Sequence, residues 1–315
     1  MQLRKICVLG GSGFVGSSIV AKLDQAGYIV TVLTRRRDSA KHLSLLPNVT
    51  VVECDVMDDQ SLAAALNGAD AVVNLIGILH QGGRTSFDAM HHQLPARLAK
   101  ICVASGIKRL LQMSSLQADK AAPSEYLRSK AAGESALLAF SQKLNITIFR
   151  PSIIFGRGDS FINLFATLIK FLPVVLLAKP QAKFQPVWVE DVASCFVASI
   201  ENTQTYGQIY ELAGPKVYSF RELVQQVMTT LKVKRPIIGL GDQLSYAQAF
   251  MMELLPVKLM SRDNVRSMEV DSVSQQPFPA IFGVVPASME AVIPEYLVDS
   301  TLRGKYDSFR SIAAR

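Results

Sequence analysis

Tyr126 and Lys130 stand four residues apart, a spacing that puts a phenol and an ammonium on one face of a helix. A phenol with its ordinary pKa of about 10 is a poor base at neutral pH. A neighbouring cation favours the phenolate, so the pair reads as a general acid/base and the group that tunes it. Ser114 and Ser115 follow Arg109 to Met113, a run with the composition of a strand. Hydroxyls at the carboxyl end of such a strand lie where α/β sheets place their ligands. Ser115 is preferred over Ser114 to orient a substrate carbonyl or alcohol. Ser115, Tyr126 and Lys130 are therefore the candidate catalytic set. Alone, a Tyr–Lys pair is ordinary helix-surface chemistry, so the reading depends on its surroundings.

The surroundings begin at residue 10. Gly10, Gly13 and Gly16 punctuate a turn between an apolar run, Ile6 to Leu9, and a helical pattern of Val15, Ile19 and Leu23. The first glycine permits a tight turn, the second lets backbone amides approach a diphosphate, and the third lets the helix meet the sheet. With Phe14 and Val15, they form a candidate dinucleotide site at the positive end of a helix. At the end of the second strand, where an acidic residue would hold the ribose hydroxyls of NAD, stand Thr34, Arg35 and Arg36. Guanidinium groups there suit a 2′-phosphate, so NADP(H) is the preferred cofactor and NAD(H) the alternative. Asp55 and Val56 follow the third strand, where Asp55 either accepts from the adenine amine or caps its own loop. Gly77, after the fourth strand, admits close approach of the cofactor, and Lys130 is also placed to hold its ribose hydroxyls.

These groups need a scaffold that gathers strand ends at one edge. The pattern predicts strands at Ile6–Leu9, Ile29–Leu33, Val49–Val52, Ala71–Ile76, Arg109–Met113 and Ile146–Phe149. Helices alternate with them: one stopped by Gly27, one over Ser61–Leu66, a long one over Phe87–Ser105, and one over Tyr126–Phe140. A loop is expected around Gly82-Gly83. Alternation of this kind implies right-handed crossovers and a doubly wound parallel sheet, an α/β fold. After Arg150-Pro151 the segments become longer and more apolar. Residues 1–150 are expected to form the dinucleotide-binding domain. Residues 151–315 are expected to form a smaller substrate or cap domain with segments returning to the sheet. The last dozen residues are polar and expected to fray.

The bulk composition narrows the classes. With 315 residues, 49% hydrophobic and 19% charged, the chain can bury a sizeable core and is not a disordered polymer. The net charge of +7 comes without a basic run interleaved with aromatics, so no nucleic-acid partner is expected. Cys7, Cys54, Cys102 and Cys195 lack paired spacing. Together with a start that runs from Met1 straight towards a strand, they suggest a reduced, cytoplasmic chain without a metal. The apolar stretch Phe161–Ala178 contains Lys170 and Pro173, which argues for a buried or site-lining helix over a membrane span. His91-His92 lacks a ligand partner at metal spacing and reads as a solvated helix face. Trp188 reads as core or wall.

Taken together, these residues resemble the extended and atypical short-chain dehydrogenases. The turn, Ser115, Tyr126, Lys130, the Arg150-Pro151 to Phe155-Gly156 run and Val187–Ala193 occur in that order. Four strings narrow the resemblance: YLRSKAAGE at 126–134, RPSIIFGRGDSF at 150–161, QPVWVEDVA at 185–193 and SRDNVRSMEVD at 261–271. They are similar to the short-chain-dehydrogenase-like accessory subunit of respiratory complex I and its stand-alone bacterial relatives. The resemblance implies a Rossmann core with a C-terminal cap and tight NADP(H) binding. In the respiratory subunit it implies a structural nucleotide near the quinone-binding arm. The Ser115-to-Tyr126 spacing is shorter than in many sugar epimerases, and no residue identifies a sugar nucleotide.

Two functions follow. One is an NADP(H)-dependent oxidoreductase or epimerase acting on an unidentified small molecule. The other is a non-catalytic nucleotide-binding element of a respiratory or quinone-related assembly, peripheral to the inner membrane. The apolar 161–178 segment and the stretch from Phe250-Met251-Met252 to Met260 motivate the second.

Overall fold

The computed structural model describes residues 3–82, 85–254 and 259–297. Part of the loop expected at Gly82-Gly83, residues 255–258 of the Met-rich stretch and the expected polar tail lie outside the described residues.

The first unit comprises residues up to Pro151 together with Glu190–Leu212 and Pro279–Val284. Its strands are β1 (Lys5–Leu9), β2 (Ile29–Thr34), β3 (Val49–Glu53), β4 (Ala71–Asn74), β5 (Arg109–Met113) and β6 (Asn145–Pro151). A seventh, Gln208–Leu212, pairs with β6, so the order runs 208–212, β6, β5, β4, β1, β2, β3. Every pairing is parallel. The order reverses between β1 and β4, and at such a switch point the strand ends splay apart and leave room for a ligand. The doubly wound parallel α/β sheet read from the sequence is present.

Helices α1 (Phe14–Gln25), α2 (Asp59–Leu66), α3 (Leu94–Ala104) and α4 (Glu125–Leu138) cross between strands. Cys7, Leu9, Val72, Leu110, Ile146 and Ile148 form one apolar layer with Leu62, Leu66, Leu94, Leu98 and Leu137 from α2, α3 and α4. On the other face α1 buries Ile19, Val20 and Leu23. There the Phe149 ring also packs, tilted by 37°, with its centre 4.3 Å from that of Phe196 on the Val189–Ser199 helix. Strand residues alternate between the faces, which is why these buried strands read as unbroken apolar runs. All four cysteines are buried.

The long helix expected over Phe87–Ser105 is two elements. Asp88–Gln93 is wound as a π-helical turn, and α3 starts after it with Pro95 in its first turn. A proline ring lacks an N–H and crowds the turn before it, so the regular ladder cannot continue through it.

The second unit holds Ser152–Val189, Ala213–Phe278 and the chain from Val285. Its core is built around Phe155, Ile162, Ile169, Phe184, Phe220, Leu223, Val227 and Ile293, with Trp188 packed at its edge. Phe161–Ala178 is not one helix. A helix covers Ile162–Phe171 and, past Pro173, Val175–Ala178 is a strand paired with Ile237–Leu240. Among the described residues no helix is long and apolar enough to cross a membrane.

Candidate functional site

The glycine turn is shaped by steric need. Gly10 has φ +78°, in the left-handed region, and a Cβ there would press at 3.3 Å on the backbone of Leu75 and Ile76. A Cβ on Gly16 would run into the Gly10 carbonyl and the Gly11 backbone. The Gly13 N–H closes the turn on the Gly10 carbonyl at 3.1 Å. Phe14, Val15 and Gly16 then open α1. Its cap, the exposed Gly13, offers no side-chain acceptor, and no acidic residue lies in the first turn. By contrast, Asp58 and Ser124 cap α2 and α4 with their own oxygens. The leading amides and partial positive charge of α1 are thus set out for an anion from outside, and a diphosphate fits that chemistry.

At the end of β2, Thr34 is buried and its hydroxyl lies 3.1 Å from the Arg36 carbonyl and 3.0 Å from the Ser39 hydroxyl. Ser39 also donates to that carbonyl at 2.7 Å. The pinned backbone leaves Arg35 and Arg36 exposed side by side. Asp55 is exposed, and its Oδ1 accepts the Met57 N–H at 2.9 Å, the loop-capping arrangement of the two alternatives. Val56 is buried and its carbonyl accepts from Arg97 at 3.2 Å.

The two serines after β5 have different fates. Ser114 turns inward, where its hydroxyl donates to the Glu134 carboxylate at 2.5 Å. Glu134 in turn takes two hydrogen bonds from the Arg150 guanidinium, at 2.8 and 2.5 Å. Ser115 stays half-buried, with its side chain hydrogen-bonded to Tyr126. On α4 the buried Lys130 brings Nζ to 3.5 Å from the Met113 carbonyl and 5.8 Å from the Tyr126 ring centre. Burial pulls the Lys130 ammonium down to about 8, against the pull of Glu134. Burial also raises the Tyr126 phenol above its usual range, and the Ser115 hydrogen bond opposes the rise. The chain alone therefore keeps Tyr126 protonated at neutral pH. Gly77 is exposed after β4, and a Cβ on it would stand 3.2 Å from Lys130 Nζ and 3.6 Å from His91 Nε2. Ser115, Tyr126, Lys130 and Gly77 thus share one locality, although Tyr126 and Gly77 lie 49 positions apart in the chain.

His91 corrects the reading of a solvated histidine pair. It is 2% exposed, while the neighbouring His92 lies at the surface in contact with Asp88 at 2.8 Å. His91 Nε2 accepts the Ile78 N–H at 3.0 Å, and Nδ1 lies 2.9 Å from the Ser129 hydroxyl. Its ring stacks at 5.5 Å on Phe87 and meets Tyr126 edge-on at 5.3 Å. Burial, reinforced by the Lys130 charge, drives its pKa down to about 2, so the ring is neutral. The π-helical turn aims it inward, a local winding that helical periodicity does not announce. Asn74 and Gln112 were also missed. They join β4 and β5 by a buried side-chain bond of 2.9 Å, and Asn74 Oδ1 accepts the Ile76 N–H at 3.2 Å. A buried polar residue at a strand end was the available signal.

Residues 6–213 match the pattern of the NAD dependent epimerase/dehydratase family. The chain is 32% identical to subunit 9 of the mitochondrial NADH dehydrogenase [ubiquinone] 1 alpha subcomplex from Arabidopsis thaliana, over 84% of this chain and 70% of that protein. The Dictyostelium discoideum subunit of the same name is 30% identical over 70% of this chain, and the match spans 62% of its own length. Among solved structures, a dTDP-glucose 4,6-dehydratase from Streptomyces venezuelae holding NAD superposes with a TM-score of 0.75. Its sequence is 21% identical, over 96% of this chain and 98% of that one.

Proposed function

This chain belongs to the NAD dependent epimerase/dehydratase family, and from that premise we propose that it is a dinucleotide-dependent oxidoreductase or epimerase preferring NADP(H) to NAD(H). The observation that carries the proposal is the meeting of Ser115, Tyr126, Lys130 and Gly77 at the strand ends beside an uncapped helix N-terminus. The amides at Gly13, Phe14, Val15 and Gly16 hold the diphosphate, with Gly10 making the turn. Arg35 and Arg36, beyond Thr34, pair with a 2′-phosphate. Asp55 and Val56 border the adenine, and Lys130 hydrogen-bonds the ribose beside Gly77.

A bound nicotinamide supplies the hydride donor or acceptor. On the protein side, Tyr126 gives its phenolic proton to a substrate oxygen, or takes one from it, while Ser115 donates a hydrogen bond to the same oxygen. The raised phenol suits the donating direction, and Lys130 stabilises the phenolate once the proton has left. The substrate is a small molecule carrying a carbonyl or alcohol.

A second reading is favoured by the relatives, which are named as subunits of a mitochondrial NADH dehydrogenase. In it the nucleotide stays bound without turnover, and the protein is a cytoplasmic element seated on a respiratory assembly at the inner membrane. Exposed Phe171, Leu176, Ile238 and Met251 in the second unit supply apolar surface for such a contact.

Incubating purified protein carrying NADPH with a panel of carbonyl and quinone compounds separates the two. Turnover that falls at least a hundredfold in Tyr126→Phe supports catalysis. A stoichiometric nucleotide that no compound oxidises supports the second reading, and turnover unchanged in Tyr126→Phe rules out the proposed mechanism.

A further inference from the structure

His91 has no part in the set of residues given roles above, yet it is among the most constrained polar side chains of the first unit. Its ring bridges two pieces of chain that the proposed site needs at fixed separation. On one side is the segment after β4, through the Ile78 N–H at 3.0 Å. On the other is α4, through Ser129, which lies between Tyr126 and Lys130.

The protons on this bridge can be assigned. The Ser129 hydroxyl has a single hydrogen, and it is directed at the Tyr126 carbonyl 2.7 Å away. Ser129 Oγ must then accept from His91, which places the ring proton on Nδ1. Nε2 is left with its lone pair, as the Ile78 N–H requires. Both ring nitrogens are thereby used in one tautomer only. The backbone reinforces the placement, because α4 approaches the π-helical turn so closely at Gly133 that a Cβ there would strike the His91 carbonyl. Phe87 and Tyr126 hold the ring faces and edge.

We infer that His91 is a positioning residue of this site: as the neutral, Nδ1-protonated ring it ties the backbone at Ile78 to α4 and so fixes Lys130 against Gly77. The inference rests on the reading of this locality as a dinucleotide site. Without the bridge, the segment after β4 is still tied to α4 by the exposed Gln81 amide, which donates to Glu125 at 3.0 Å, but that bond sits at the first residue of α4, more than a helical turn from Lys130. The ribose-facing ammonium then loses its fixed distance from the backbone that the cofactor approaches.

The test uses the full-length protein labelled with 15N-histidine, together with His91→Phe and His91→Gln. Phe keeps the ring stack but loses both hydrogen bonds, whereas Gln offers an oxygen to accept and an amide to donate. The wild-type spectrum should show an Nδ1-protonated, neutral ring between pH 6 and 8. In fluorescence titrations, His91→Phe should bind NADPH about tenfold more weakly, the effect of roughly one lost hydrogen bond, and His91→Gln should recover most of that loss. A mere packing role predicts the reverse order, with Phe near wild type and Gln worse. That order, or a ring proton on Nε2, overturns the inference. Should His91→Phe fail to fold, the tautomer and the Gln variant decide by the same criteria. If the wild type binds neither NADPH nor NADH, the functional reading falls, and the tautomer alone then decides whether the bridge exists.

Discussion

Lys130 and Gly77 are matched to each other: the first atom of any side chain at residue 77 would stand 3.2 Å from the Lys130 ammonium nitrogen. Gly77 is not among the glycines with a positive φ, so its lack of a side chain serves close approach and not a left-handed turn. The neighbour it accommodates is the cation that the proposed mechanism needs beside Tyr126.

The Gly77→Ala protein should therefore fold, with a melting temperature close to wild type, while NADPH affinity falls about tenfold as Lys130 is displaced. Isothermal titration checks the affinity. A wild-type dissociation constant in Gly77→Ala would separate Lys130 from the cofactor.

Lys130 also makes a pH prediction. Its pKa drops from 10.5 to about 8 on folding, so between those values the unfolded chain binds more protons than the folded one. Stability then rises with pH across that window, and the cost of burying the ammonium is fully present below pH 8. Urea unfolding of wild type against Lys130→Met, from pH 7 to pH 10, should show the wild type gaining on the variant by on the order of 3 kcal/mol. A difference independent of pH would mean that the ammonium is better solvated than its burial implies.

Arg35 and Arg36 are exposed, so their replacement should leave the fold intact. Arg35→Ala with Arg36→Ala should weaken NADPH binding by about tenfold or more while NADH binding changes little, because only the 2′-phosphate pairs with the guanidiniums. The ratio of the two dissociation constants is the measurement. An unchanged ratio would remove the basis for preferring NADP(H).

Arg109 is a structural counterpart. It is 1% exposed and donates to the Asn145, Ser199 and Ile200 carbonyls and to the Thr205 hydroxyl, with the Tyr206 ring 4.6 Å from its guanidinium carbon. Burial lowers its pKa only to about 10, so it remains a cation at neutral pH. Arg109→Met should strand those carbonyls and cost about 3 kcal/mol or more in urea unfolding, with NADPH affinity of the folded protein unaltered. A loss below about 1 kcal/mol would show that water reaches the vacated carbonyls.

Some of this was legible in residues close together in the chain. The glycines at 10, 13 and 16 announce their turn because the steric demand lies within seven residues. Tyr126 and Lys130 announce a shared face because helical geometry fixes it, and strands buried on both sides announce themselves by uniform apolarity. The division of labour between Ser114 and Ser115 was not legible, since it depends on Glu134 and Arg150 arriving from other elements. Segments returning to the sheet were expected, but not which one would pair with β6, a place taken by Gln208–Leu212 from beyond the second unit's first segment.

Local pattern thus established the parallel α/β sheet, the glycine turn that opens the first helix and the phenol–ammonium pair, because each is set by torsions and periodicity over a few residues. Burial decided the rest. It made Lys130 a weakened cation, kept Tyr126 protonated and turned His91 from a surface group into a neutral bridge. Those properties arise from desolvation and from contacts between residues dozens of positions apart, and they exist only once the chain has packed.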